Sequence, residues 1–318
     1  MEDKEPLAPE RTTGFFGSLN DDQLSLFHEF KKYANENIDT ESKQHWFDNR
    51  TLLRFLRARS FSVSDAIDQF AKTDVWRKEV EIDQKYRSIS PEELYVAQAQ
   101  YTRFTGRRDR FGAPLFVYRP GSLGKQLSEI NATTPQRRLE LISILSECLL
   151  KLYLPMSADL YARETTQTAE QQEQDDKPTI ENVTTIVDFD GMSLGLLWKL
   201  RNHLGQASQL NSSFFPETLG KTALVNVPSF FTTYWNFIKQ WLDKGTRDKM
   251  FIVSSKDLQN GALHYLVDPK HLPKVYGGKL EWVYEDEPNL CDEFVDLIGR
   301  KDMPKGPTEW VNGQLKVY

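Results

Sequence analysis

Catalytic chemistry needs particular side chains at particular spacings, and few such sets occur in this chain. The five histidines, His28, His45, His203, His264 and His271, are scattered with no partner spacing. There is no GxSxG nucleophile elbow, no P-loop, no HExxH and no GxGxxG. Cys148 and Cys291 form no CxxC or His/Cys cluster for a structural zinc, and two lone cysteines suit a reducing compartment. Cys148 lies in an apolar helical run, LISILSECLLKLYL, and reads as core. These residues point away from an enzyme. The side chains with most to offer are instead aromatic, and they cluster between Phe214 and Ser255.

That stretch reads FFPETLGKTALVNVPSFFTTYWNFIKQWLDKGTRDKMFIVSS. Lys221–Val227 is a short apolar run rich in β-formers, expected to be a buried strand. Pro228 and Ser229 break it, since proline cannot donate to a ladder and serine caps helices. Phe230–Leu242 then reads as a helix. Phe230, Tyr234, Phe237 and Trp241 repeat at helical spacing, and Phe231, Trp235, Ile238 and Leu242 do so one residue on. Asp243 and Gly245 are expected to end it, and Met250–Val253 is the next strand. Strand, helix, strand implies a parallel pair. A helix this aromatic either packs on a sheet or covers an apolar cavity or membrane, and composition does not separate the two.

The elements that must position this unit follow from the bulk numbers and the patterning. The chain has 318 residues, 39% hydrophobic and 12% aromatic, enough for one large domain or a small and a medium one. A net charge of −6 argues against a dedicated nucleic-acid binder. No uninterrupted apolar run approaches the roughly 20 residues that span a bilayer, and MEDKEPLAPERTTG lacks the apolar core of a signal peptide. A soluble cytoplasmic protein is expected.

Residues 1–17 read as a flexible lead-in and 18–90 as a helical lobe. Leu19–Tyr33 is an amphipathic helix with Leu24, Phe27, Phe30 and Ala34 on one face. Two more helices lie within 47–79, the second capped by Ser62 or Ser64, with Ala66, Ile67, Phe70, Ala71 and Trp76 on its buried side. A short helix (PEELYVAQ) precedes Thr105–Gly112, expected to be a turn, and the strand Pro114–Arg119. Pro135–Leu154 is a long apolar-faced helix, 163–177 an exposed Gln-rich acidic loop, Thr184–Phe189 a strand, Leu194–Leu210 a helix and Leu258–Val267 helical. Residues 91–285 form the main domain, and 286–318 a partly ordered acidic tail wrapping back on it. The alternation predicts an α/β fold with a mostly parallel sheet behind an N-terminal helical lobe.

Six stretches carry a resemblance: LLRFLRARSFSVSDAIDQFAKTDVWRK (52–78), DRFGAPLFVY (109–118), TTIVDFDGMS (184–193), FFPETLGKTALVNVPSFF (214–231), FIKQWLDKGTRDKMFIVSS (237–255) and LPKVYGGKLEW (272–282). In this order they resemble the CRAL-TRIO lipid-binding family, in particular its yeast-type phosphatidylinositol/phosphatidylcholine transfer proteins. The resemblance implies a deep apolar lipid pocket floored by the sheet and closed by a gate helix. The aromatic helix falls on that gate, with Phe230, Phe231, Tyr234, Trp235, Ile238 and Trp241 facing cavity or membrane. It implies a phosphatidylinositol headgroup site of Arg59, Asp109, Pro114, Glu217, Thr246 and Lys249. Thr246 and Lys249 are three apart and would share one face of a helical turn toward one phosphate, while Glu217 would accept from inositol hydroxyls. Read as residues alone, Arg59 suits an exposed helix face, Glu217 a helix cap and Lys249 a strand edge.

The sequence also departs from the family. A lysine after the matching arginine is Ser60 here, and an arginine after the matching glutamate is Thr218. The choline-lipid positions are Thr105, Phe116, Val183 and Thr185, so of two tyrosines and a serine/threonine pair only a threonine survives. Tyrosine faces favour a quaternary cation, so phosphatidylcholine binding is expected to be weak. The resemblance implies a monomer with no cofactor beyond a bound lipid, no metal and no nucleic acid. It would visit Golgi, endosomal or endoplasmic reticulum membranes and could serve phosphoinositide kinases. The alternatives are a carrier or sensor for a sterol, tocopherol, retinoid or haem, or a non-exchanging scaffold.

Overall fold

The computed structural model describes residues 14–39, 46–127, 132–165, 177–229, 231, 235 and 244–318. The lobe contains α1 (Asp21–Asn37), α2 (Asn49–Ala58), α3 (Val63–Val80), α4 (Ile82–Ser88) and α5 (Pro91–Gln100). Local chemistry starts these helices where polar caps occur. Asn20 and Gln23 form a capping box on α1, Asp48 caps α2, and Ser90 with Pro91 opens α5. Ser62 precedes α3 but makes no side-chain cap. Phe27, Phe30, Leu53, Phe55 and Phe70 form the core of the lobe. Of the expected buried side of α3, Ala66 and Phe70 are buried, while Ile67, Ala71 and Trp76 are half-buried.

Strands β1 (Thr102–Arg108), β2 (Pro114–Tyr118), β3 (Val183–Asp188), β4 (Leu219–Val225) and β5 (Met250–Ile252) lie side by side in that order. β1 and β2 are antiparallel, and the remaining pairs are parallel. β1 corrects the turn expected at Thr105–Gly112. TRFTGRR mixes Thr and Phe with three arginines and a glycine, charge being common on edge strands, and its register slips between Phe104 and Arg108. Gly106, at φ +82°, is where a β-carbon would meet the Asn289 backbone at 2.3 Å, so the C-terminal chain covers this edge closely.

Between β2 and β3 run α6 (Pro135–Cys148), a π turn at Leu149–Tyr153 and α7 (Leu154–Thr165). The wide turn sits just before Pro155, which has no N–H to give to a helix. This continuous helix is long and apolar enough to cross a membrane, but most of its apolar window is buried within the protein, as for a core helix. α8 (Leu194–Phe214) joins β3 to β4. The segment expected to be the aromatic gate joins β4 to β5. Of it, Phe231 and Trp235 are described, and Phe230, Tyr234, Ile238 and Trp241 lie outside the described residues. Gly245, expected to end that helix, lies inside α9 (Lys244–Asp248). Most of the acidic 163–177 loop lies outside the described residues too.

After β5, only α10 (Ser255–Gln259) is regular where a helix to Val267 was expected, and turns follow. The expected partly ordered tail instead forms α11 (Asp292–Ile298) and a hairpin of β6 (Thr308–Val311) and β7 (Gln314–Val317). Phe294 and Trp310 sit in the same core as Met156 and Leu94. Its acidic composition hid these few large apolar anchors.

Candidate functional site

Strand alternation gives the sheet two faces. Leu115, Val117, Ile186, Ala223 and Val225 point to one face, packed against the 253–284 chain. Phe116, Thr185, Thr222 and Met250 are successive cross-strand partners on the other. They floor a cavity of about 600 Å³ whose walls include Leu145, Leu149, Leu204 and Ala207 from the helices.

Charged groups gather at one end of this cavity. Lys249 Nζ lies 2.8 Å from Glu217 Oε2, and Arg57 Nε lies 3.5 Å from the same oxygen. Arg57 also pairs with Glu181, both side chains being buried. Its guanidinium sits 4.0 Å from the Phe15 ring centroid and donates to the Gly14 carbonyl, while Nη2 is buried with no partner among the described residues. Phe16 N–H donates to Glu181, so this end of the lead-in is held by the cluster. Glu217 has φ +59°, a left-handed backbone that costs a residue with a β-carbon roughly 1–2 kcal/mol. Arg59 is the exposed C-cap of α2 and lines the same end, beside Ser60. Arg57, Arg59 and Lys249 against Glu181 and Glu217 leave one net positive charge among these five, suited to one phosphodiester.

The expected headgroup residues therefore divide. Glu217, Lys249 and Arg59 come together at the cavity. The side chain of Thr246, within α9, lies outside the described residues. Asp109 and Pro114 are not brought there. Asp109 accepts from Phe111 and Ala113 N–H at 2.8 and 2.9 Å and from the Thr184 hydroxyl at 2.7 Å. It holds its own turn, and burial pushes its carboxyl up to about 6 despite those bonds. Pro114 opens β2 opposite Arg108. Arg57 and Glu181 were missed. Two arginines two positions apart diverge at a helix end, and no spacing signals which one turns inward.

Of the expected second-lipid residues, Phe116, Val183 and Thr185 line the cavity. Thr105 does not, because its hydroxyl donates to the Leu115 carbonyl at 2.9 Å within the sheet. The Thr185 hydroxyl is buried with no partner among the described residues. Phe104 and Tyr153 join Phe116 in an aromatic wall, with centroids 4.8 Å and 5.3 Å from Tyr153. Cys148 lines this wall as well, its thiol pushed up to about 11 by burial. Trp235 lines the cavity and stacks on Phe231 at 6.0 Å, and Phe231 packs edge-on to Phe189 at 5.3 Å. Among the described residues no group of three or more His, Cys, Asp or Glu could hold a metal ion.

Known proteins share this architecture. The chain is 28% identical over 283 residues to the Sec14 cytosolic factor of Schizosaccharomyces pombe, covering 88% of this chain and 91% of that protein. It is 27% identical over 273 residues to the SEC14 cytosolic factor of Kluyveromyces lactis, covering 85% and 82%. It is also 27% identical over 241 residues to the phosphatidylinositol/phosphatidylcholine transfer protein SFH9 of Arabidopsis thaliana, covering 75% of this chain and 38% of that protein. The crystal structure of Sfh5 superposes with a TM-score of 0.59 over 92% of this chain and 94% of that one, at 18% identity, a likeness of fold. The CRAL/TRIO N-terminal domain profile matches residues 26–72, on the helical lobe, and the CRAL/TRIO domain profile matches 99–278, the sheet and its cavity. Lobe, floor and walls thus coincide with both profiles, and the chain belongs to the CRAL/TRIO family.

Proposed function

We propose that this chain binds phosphatidylinositol in the cavity and exchanges it between membranes from the cytosol. The observation that carries this is the charged cluster of Arg57, Glu217 and Lys249 at one end of an otherwise largely apolar cavity. Glu217 is the anion paired with Lys249. A lipid phosphate would take over that lysine, with Arg59 beside it, and release Glu217 to accept from inositol hydroxyls. The acyl chains would lie over Phe116 and Leu224. Each buried CH₂ is worth about 0.8 kcal/mol, so the lipid stays until a bilayer offers equal shelter. On opening, Phe231 and Trp235 would be exposed and would meet the membrane interface. The protein would then be peripheral on membranes and present its lipid to phosphoinositide kinases, acting as a carrier rather than a catalyst.

Phosphatidylcholine is proposed to bind weakly, since Thr105 faces into the sheet and Phe116 and Val183 offer no hydroxyl. Vesicle-to-vesicle transfer of labelled phosphatidylinositol and phosphatidylcholine tests both statements. We expect transfer of the first, reduced at least tenfold by Lys249→Ala with Glu217→Ala. Equal transfer of both lipids would refute the choline reading. Transfer unaffected by the double substitution would refute the headgroup site.

A further inference from the structure

The cavity has a second polar feature away from the charged cluster. His203, on α8, lines the wall, and its Nε2 lies 3.0 Å from the Tyr101 hydroxyl, which lines the same wall. Phe214, where α8 ends near the charged end, is eleven residues further on, or about 17 Å along the helix axis. A lipid whose phosphate sits on Lys249 would bring only hydrocarbon to this pair.

Both groups keep an unused hydrogen-bonding function. His203 is 6% exposed, and its Nδ1 is buried with no partner among the described residues. The Tyr101 hydroxyl has one side-chain partner, His203, among the described residues. The Tyr101 backbone is fixed, because its carbonyl accepts from the Tyr284 hydroxyl at 2.6 Å. Both side chains are uncharged at neutral pH. Burial first, then the nearby Arg138 charge, pushes the imidazole down to about 4, and burial raises the phenol to about 12. Some polar groups on the wall, such as Ser146 and Asn211, are satisfied, whereas the Thr185 hydroxyl on the floor also lacks a partner among the described residues. The Ser146 hydroxyl meets the Ile142 carbonyl and Asn211, and Asn211 in turn donates to the Ala207 carbonyl.

We propose that Tyr101, positioned by His203, is the polar anchor for a neutral lipid alcohol such as a sterol, which occupies this cavity in place of a phospholipid. An alcohol fits either arrangement of the pair. If Nε2–H donates to the tyrosine oxygen, the phenol O–H donates to the ligand oxygen. If the phenol donates to Nε2, its oxygen accepts from the ligand hydroxyl. The pair is itself uncharged, and Arg138, whose charge both groups feel, does not line the cavity, so a neutral hydroxyl suits this site better than an ionised group.

The inference rests on the cavity being a lipid carrier site, and its test separates the two claims. A fluorescent sterol, dehydroergosterol, is bound to the full-length protein and displaced by cholesterol, by cholestene (the same skeleton without the hydroxyl) or by oleate. Phosphatidylinositol transfer is measured in parallel. The wild type should prefer cholesterol to cholestene by about tenfold or more. Tyr101→Phe should bring that ratio near one, and His203→Phe should lower it. A general loosening of the cavity would not abolish discrimination for one oxygen. Tyr101→Phe deletes a single atom, so the test survives if His203→Phe does not fold. No discrimination by the wild type, discrimination unchanged in Tyr101→Phe, or oleate competing as well as cholesterol would overturn the proposal. Phosphatidylinositol transfer without sterol discrimination sinks this proposal alone. Discrimination without that transfer sinks only the phosphatidylinositol reading.

Discussion

Ile186 and Val187 are neighbours on β3, yet they meet opposite surroundings. Ile186 points to the face where Leu263, Leu272, Tyr276 and Trp282 close over the sheet, and it is 1% exposed. Val187 points to the face where the helices stand off and a cavity remains. Thr184 and Thr185 repeat the contrast in hydrogen bonds. The first donates to Asp109 on the filled side, and the second, on the hollow side, is buried with no partner among the described residues. One strand therefore serves two ends. The filled face supplies cohesion, and the hollow face gives up contacts so that a ligand can supply them.

The contrast should appear in stability. For lipid-free protein, Ile186→Ala is expected to cost about 2–4 kcal/mol in urea unfolding, and Val187→Ala about 1 kcal/mol or less. The gap should exceed what one extra methylene explains. Equal costs would mean that the helices close onto the hollow face in solution.

Asp109 sharpens the same comparison through pH. Its folded pKa, about 6, lies above the ordinary 3.8. A raised carboxyl favours the protonated fold, so its contribution is fully present below about 3.8 and lost as pH rises through about 6. The difference in unfolding free energy between wild type and Asp109→Asn should shift across this window by on the order of 2–3 kcal/mol. A flat difference curve would show that Asp109 is less enclosed than its three bonds imply.

The smallest effects are expected from the paired threonines. Thr184→Val removes a bond to a buried carboxyl and should cost about 1–2 kcal/mol, whereas Thr185→Val removes an unsatisfied hydroxyl and should be neutral or stabilising by up to about 1 kcal/mol. Opposite signs at adjacent positions, read by thermal melting of lipid-free protein, would support the two-faced floor. The same sign at both would break it.

Much of this was legible from local patterning. Period-3.6 stripes marked α1 to α3 and α8, and apolar β-former runs marked β2 to β5, because those signals depend only on neighbouring residues. β1 escaped, since the arginines and glycine at its C-terminal end run into the turn before β2. The C-terminal hairpin escaped too, since its anchors Phe294 and Trp310 are sparse in an acidic stretch. At the site, the resemblance picked out Glu217 and Lys249, which meet at 2.8 Å, and Arg59, which lines the same end, but not Arg57, which lies 3.5 Å from Glu217. The Tyr101–His203 pair joins positions 102 residues apart and has no local signature.

What the sequence determined alone was the alternation itself: every second residue of β2, β3 and β4 is committed to one side of the sheet, because side chains in a strand must alternate. Which side would be filled was decided only by the tertiary structure. The 253–284 chain returns over one face, while α6 and α8 rest on the other at a distance. Such long-range closures depend on contacts between segments that no local pattern relates.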